Sequence, residues 1–215
     1  MTRTNTALLV LLGAVFVWSA VRPHDYFTWI LETFPAIIGF VILLATYRRF
    51  PLTPLAYRLI FVHALILMVG GHWTYAEVPL GYWMKDLFGF ARNHYDRIGH
   101  FAQGFVPAIL AREILLRKTP LRSRGWVFFL VTCVCLAISA CYEFIEWGTA
   151  VATGSKADAF LGTQGDPWDT QWDMLWALIG AVTSQLLLSR AHDRQVARLG
   201  LEDEMPRPLA PNMQF

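Results

Sequence analysis

WVFFLVTCVCLAISACYEFIEW, residues 126–147, is the stretch on which the fold turns. It is apolar over the length a helix needs to cross a hydrocarbon core, about 20 residues. Its two carboxylates, Glu143 and Glu146, come only near the end. At about 1.5 Å of rise per residue, Glu143 lies roughly 26 Å beyond Trp126 in a core about 30 Å thick. It therefore sits just inside the far boundary. Ionisable groups at such a depth usually face the interior of a helix bundle and carry function.

Five more stretches, 6–21, 33–47, 55–75, 98–116 and 172–190, are apolar and of similar length. The fold expected is all-α: a polytopic membrane bundle of about six transmembrane helices. It forms one domain over 1–198 with a mobile cytoplasmic tail over 199–215, a segment with three prolines and mixed charge. Stretch 98–116 is interrupted by Gly99, His100, Gln103, Gly104 and Pro107, so neighbouring helices or water have to satisfy what Pro107 leaves unpaired. Composition agrees: of 215 residues 55% are hydrophobic and 16% charged, against about a quarter charged in soluble domains. Arg3 and the apolar run after it have the charge and length of a signal peptide. Trp18, two residues before the best cleavage position at Ala20, argues for an uncleaved first helix.

Orientation follows from the basic residues. Arg3, Arg48, Arg49, Arg58, Arg117, Lys118, Arg122, Arg124, Arg190, Arg194, Arg198 and Arg207 lie on one side, twelve of the eighteen Lys and Arg. The opposite loops hold five: Arg22, Lys85, Arg92, Arg97 and Lys156. By the positive-inside rule both termini are cytoplasmic, in a multi-pass protein of the inner membrane. Spread over alternate loops, these charges form no nucleic-acid-binding face. Cys133, Cys135 and Cys141 share one apolar run and cannot staple distant segments. Cys133 and Cys135 face different directions on a helix and read as small core residues rather than a metal motif.

The acids gather on the other face. Asp96 and His100 open the fourth stretch, Glu143 and Glu146 close the fifth, and Asp166, Asp169 and Asp173 lead into the sixth. Asp96 with His100 and Asp169 with Asp173 are four apart, and Glu143 with Glu146 three, so each pair shares a helix face. Carboxylates that converge repel one another unless a cation or an arginine offsets them. The outer loop GSKADAFLGTQGDPWDTQ, 154–171, has glycines and an Asp-Pro turn suited to a formed lid. No HExxH, GxSxG, phosphate loop or helix-loop-helix calcium pattern occurs. His63 reads as a packed mid-helix residue, and His72, nearer the outer face, is a marginal addition to the cluster.

Four blocks carry a resemblance to a known family: RRFPLTPLAYRLIFVHALILMVGGHWTYAEVP at 48–79, YDRIGHFAQGFVPAILAREIL at 95–115, SACYEFIEW at 139–147 and FLGTQGDPWDTQWDM at 160–174. Through them the chain closely resembles the YjdF-like bacterial inner-membrane proteins over nearly its whole length. That resemblance implies an inner-membrane location and no established activity. The last three helices are also similar, more distantly, to VanZ-like membrane proteins. Asp96, His100, Glu143 and Asp173, with Gly180 in the last helix, follow their pattern, while Glu146 stands where a Gln is usual and Ala177 where an Asn is usual. VanZ-like proteins are associated with glycopeptide antibiotic tolerance, so this similarity implies an envelope role.

The function expected is an enzyme acting on a lipid, a lipid-linked or another cell-envelope precursor at the outer face, among membrane lipids and without nucleic acid. Asp96, His100, Glu143, Asp169 and Asp173 are expected to hold a divalent metal, magnesium, manganese or calcium by their oxygens and zinc if His100 joins. Glu146 or Asp166 is the expected general base. The alternative is a non-catalytic lipid-binding or envelope-assembly protein whose acids close a polar network. A transporter ranks third, with no internal repeat and the ionisable residues at one face.

Overall fold

The computed structural model describes residues 3–204. Among these there are eight α-helices and no strand. They are α1 (Arg3–Ala20), α2 (Tyr26–Thr46), α3 (Pro54–Trp73), α4 (Pro79–Phe88), α5 (Tyr95–Lys118), α6 (Arg124–Thr153), α7 (Asp158–Leu161) and α8 (Asp169–Glu204). Six are long, one for each apolar stretch. By length and composition α2, α3, α6 and α8 are able to cross a membrane, and α1 is apolar but shorter.

Helix α5 falls outside that apolar set because charge sits at both its ends. Arg97 and Arg112 are fifteen residues apart, about 22 Å along the axis. Half of the helix is nonetheless buried, since α5 is the centre of the bundle and packs on α3, α6 and α8. Its closest neighbour is α8, which runs parallel to it. A Cβ on Gly104 would collide with the Ala177 carbonyl, and one on Gly180 with the Phe101 carbonyl. Small residues let the two backbones approach and fix their register. Where α6 joins this pair, Ala108, Val127, Val131, Cys135 and Ala181 form an apolar core. Cys133 and Cys141 are exposed while Cys135 is buried, as divergent helix positions require.

Several boundaries differ from those the hydropathy suggests. α2 begins at Tyr26, well before residue 33, because Asp25 caps it through the Thr28 backbone N–H at 2.7 Å. α6 runs past Trp147 to Thr153, where Gly154 with φ of +61° ends it. α4 was not expected at all: a ten-residue helix is too short to register as a span. α8 continues through residue 198 to Glu204, and 205–215 of the expected tail lie outside the described residues.

Candidate functional site

The shared register of α5 and α8 brings their first turns together. Arg97, buried on α5, is bonded directly to Asp173 and, through Nη2, to Asp169 Oδ1 at 2.7 Å. Asp169 and Asp173 are successive turns of α8, so a single planar guanidinium spans both. Asp96 Oδ2 at 3.6 Å and Asp166 Oδ2 at 3.5 Å flank the same guanidinium. Arg92 adds a second cation, 2.6 Å from Asp169 and 3.7 Å from Asp166. The outer loop closes over this pair as a formed structure. Gln164 accepts from the Asn93 backbone N–H at 3.1 Å and donates to the Asn93 carbonyl at 2.8 Å.

One turn deeper stands His100. Its Nε2 is 3.4 Å from Asp96 Oδ1 and 3.6 Å from Asp173 Oδ1, and its Nδ1 is 4.0 Å from Glu143 Oε1. All four side chains are buried. Asp96, His100 and Asp173 each offer one ligand atom, and those atoms lie within 4.8 Å of one another. Asp96 Oδ2 and Glu143 Oε1 are buried without a hydrogen-bond partner among the described residues. Asp96 Oδ2 meets the Arg97 guanidinium at 3.6 Å and Glu143 Oε1 the His100 ring at 4.0 Å, both too far for a hydrogen bond, and burying an oxygen without one is costly.

Behind His100 opens an elongated cavity of about 570 Å³. Glu32, Asp96, His100 and Glu146 line its polar end, and it continues between α2, α3, α5 and α6 along apolar walls to Phe50 and Lys118. From His100 to Lys118 is about 27 Å of helix. Across the gap between α2 and α6 the Tyr142 hydroxyl donates to Glu32 at 3.3 Å.

The expected residues thus separate into two layers. Asp96, His100, Glu143 and Asp173 meet at the inner layer, with Glu146 on the cavity wall. Asp166 and Asp169 belong to the outer layer, where Arg92 and Arg97 engage their carboxylates. His72 lies apart: its Nδ1 is 3.0 Å from the Ser19 carbonyl and its ring stacks near Trp18. His63 lines the cavity midway. Three participants are not marked by the sequence pattern, Arg92, Arg97 and Glu32. Arg92 and Arg97 count in the sequence as loop cations, and Glu32 precedes the expected start of its helix; a lone acid in a 21-residue apolar helix is the signal that finds it.

Charge does not balance within this set. Seven carboxylates, Glu32, Asp96, Glu143, Glu146, Asp166, Asp169 and Asp173, face two arginines and one histidine. Even with His100 protonated, four negative charges are left over. Among the described side chains, protons, a bound cation or, at the quarter-exposed Asp166, solvent make up the difference.

Apolar helices of spanning length around a charged central helix define a polytopic integral membrane protein. The chain belongs to the family described as predicted membrane protein DUF2238, matched over residues 4–194. It is 55% identical over 207 residues to "Inner membrane protein YjdF" of Escherichia coli (strain K12), across 94% of this chain and 99% of that protein. It is accordingly a multi-pass inner-membrane protein. No solved structure matches it.

Proposed function

We propose that the chain is a metal-dependent enzyme acting on a lipid or cell-envelope precursor at the outer face of the inner membrane. One observation carries this reading: Asp96, His100 and Asp173 bring ligand atoms within 4.8 Å of one another, and Asp96 and His100 also line the polar end of a long apolar cavity. Asp96, His100 and Asp173 are the ligands, with Glu143 closing the set, and their oxygen and nitrogen atoms suit magnesium, manganese, calcium or zinc. Such a cation, when bound, supplies Lewis-acid polarisation of the substrate's head group. Glu146, on the same cavity wall, is the general base. Asp169 and Asp166 hold Arg97 and Arg92 and so position the outer layer. The cavity favours an amphiphile with its head at His100 and its chain directed toward Phe50, entering between α2 and α6.

A second reading draws support from Arg97. A guanidinium already shared among Asp96, Asp169 and Asp173 is what a structural network closing the outer loop requires, in a non-catalytic lipid-binding or assembly protein. Metal analysis of the purified, detergent-solubilised chain separates the two. Stoichiometric metal that is lost in Asp173→Ala and Asp96→Asn but kept in Asp158→Ala supports the enzyme. Metal-free protein that still melts cooperatively supports the network.

A further inference from the structure

At the end of the bundle away from the acids, helices α1 and α2 form a wedge. They meet at their outer ends, where Trp29 Nε1 donates to Ser19 Oγ at 3.2 Å and the Phe16 and Trp29 rings lie 5.6 Å apart. Toward the other end each packs on α3 and hardly on the other. The space between them is a pocket of about 520 Å³, with apolar walls that include Leu9, Leu12, Phe40 and Leu44. Arg48 and Arg49 stand at its mouth, both exposed, and neither guanidinium has a carboxylate partner among the described residues. Tyr57 adds a hydroxyl at the same level; it accepts from the Leu52 N–H at 3.2 Å and keeps its own proton to donate.

We propose that this wedge binds one anionic phospholipid of the adjoining leaflet, its phosphate on Arg48 and Arg49 and an acyl chain between α1 and α2. Charge complementarity selects the head group: a planar guanidinium pairs with phosphate oxygens in a bidentate geometry, and basic pockets between membrane helices at this level recognise anionic lipid. The apolar walls select a lipid over a soluble anion, since only a chain removes them from the gap. A single lipid there fills the space the helices leave and ties α1 to the bundle.

Native mass spectrometry of the full chain in detergent, titrated with phosphatidylglycerol or with phosphatidylcholine of the same chains, tests this. One phosphatidylglycerol per chain is expected to bind in preference. Arg48→Gln combined with Arg49→Gln should weaken it on the order of 30-fold, from the contribution of each basic residue at an anionic surface. Ala45→Trp, at an exposed position lining the wedge, keeps both charges and should weaken binding by filling the space. Equal binding of the two lipids, or a preference unchanged in either variant, overturns the proposal. So does inorganic phosphate binding that needs the arginines and ignores Ala45→Trp, because that marks a bare anion site.

Discussion

Arg97 on α5 and Asp173 on α8 are joined directly inside the bundle, both buried, seventy-six residues apart in the chain. The contact exists because two glycines elsewhere, Gly104 and Gly180, let the parallel helices touch backbone to backbone. A packing device and an electrostatic one are therefore a single feature, and each can be tested through the other.

Arg97→Ala removes the cation around which Asp96, Asp166, Asp169 and Asp173 are arranged. Breaking a buried ionic set by deleting one partner costs about 3–5 kcal/mol. The melting temperature in detergent should fall steeply, and Arg97→Lys should recover little of it, since an ammonium cannot span two carboxylates as a planar fork does. A melting point for Arg97→Ala equal to that of the wild type would refute the network.

The inner acids should act as one unit. Asp96→Ala, Glu143→Ala and Asp173→Ala each change the surroundings of His100, and their effects on melting should be far from additive. Asp158, exposed at the start of α7, should be silent within about 0.5 kcal/mol when changed to Ala. Equal, strictly additive effects for all four would mean a solvated acidic face.

These tests also show how far the sequence could be read. Long apolar stretches announce the six long helices, and i,i+4 spacing announces that Asp96 with His100 and Asp169 with Asp173 share faces. Arg97 was concealed because hydropathy starts its helix at Ile98, whereas the helix begins at Tyr95. A charged turn buried by its neighbours is indistinguishable from a wet one in a single sequence. Glu32 was concealed in the same way, by an acid and Pro35 that look like a boundary inside α2. The division of the acids into two layers was not legible at all, since it depends on where Arg97 of α5 and Arg92 of the α4–α5 connection reach across to α8.

Gly104→Leu should destabilise by about 3 kcal/mol, the upper part of the range for overpacking, because the obstruction is the Ala177 backbone carbonyl and no rotamer change moves it. The same substitution should uncouple Arg97 from Asp173. Arg97→Ala added to Gly104→Leu should then cost less than it does alone. Full additivity in a double-mutant cycle would show that helix register and the ion cluster are independent.

Asp25 gives a pH dependence outside the spans. The Thr28 backbone N–H bonded to it holds its carboxyl below the usual carboxylate value. A depressed folded pKa means the cap's contribution is fully present above the unfolded value and is lost as pH falls through the folded one, below about pH 4. The melting difference between wild type and Asp25→Ala should shrink over that interval. A difference that stays constant between neutral pH and pH 3 would show that the carboxylate charge is not what caps α2.

Topology decides which leaflet each of the two sites meets. In the sequence, twelve of the eighteen basic residues lie at the N-terminus, near the α2–α3 and α5–α6 connections, or in and after the last part of α8. Lys and Arg near helix ends are retained in the cytoplasm, so reporters fused after Arg124 and after Arg198 should read as cytoplasmic and one at Lys156 as periplasmic. That arrangement puts His100 and its carboxylates toward the periplasm and Arg48 and Arg49 at the inner leaflet, where anionic lipid attracts basic side chains. A periplasmic signal at Arg198 with a cytoplasmic one at Lys156 would invert both sites, and an outer-face substrate would no longer be tenable.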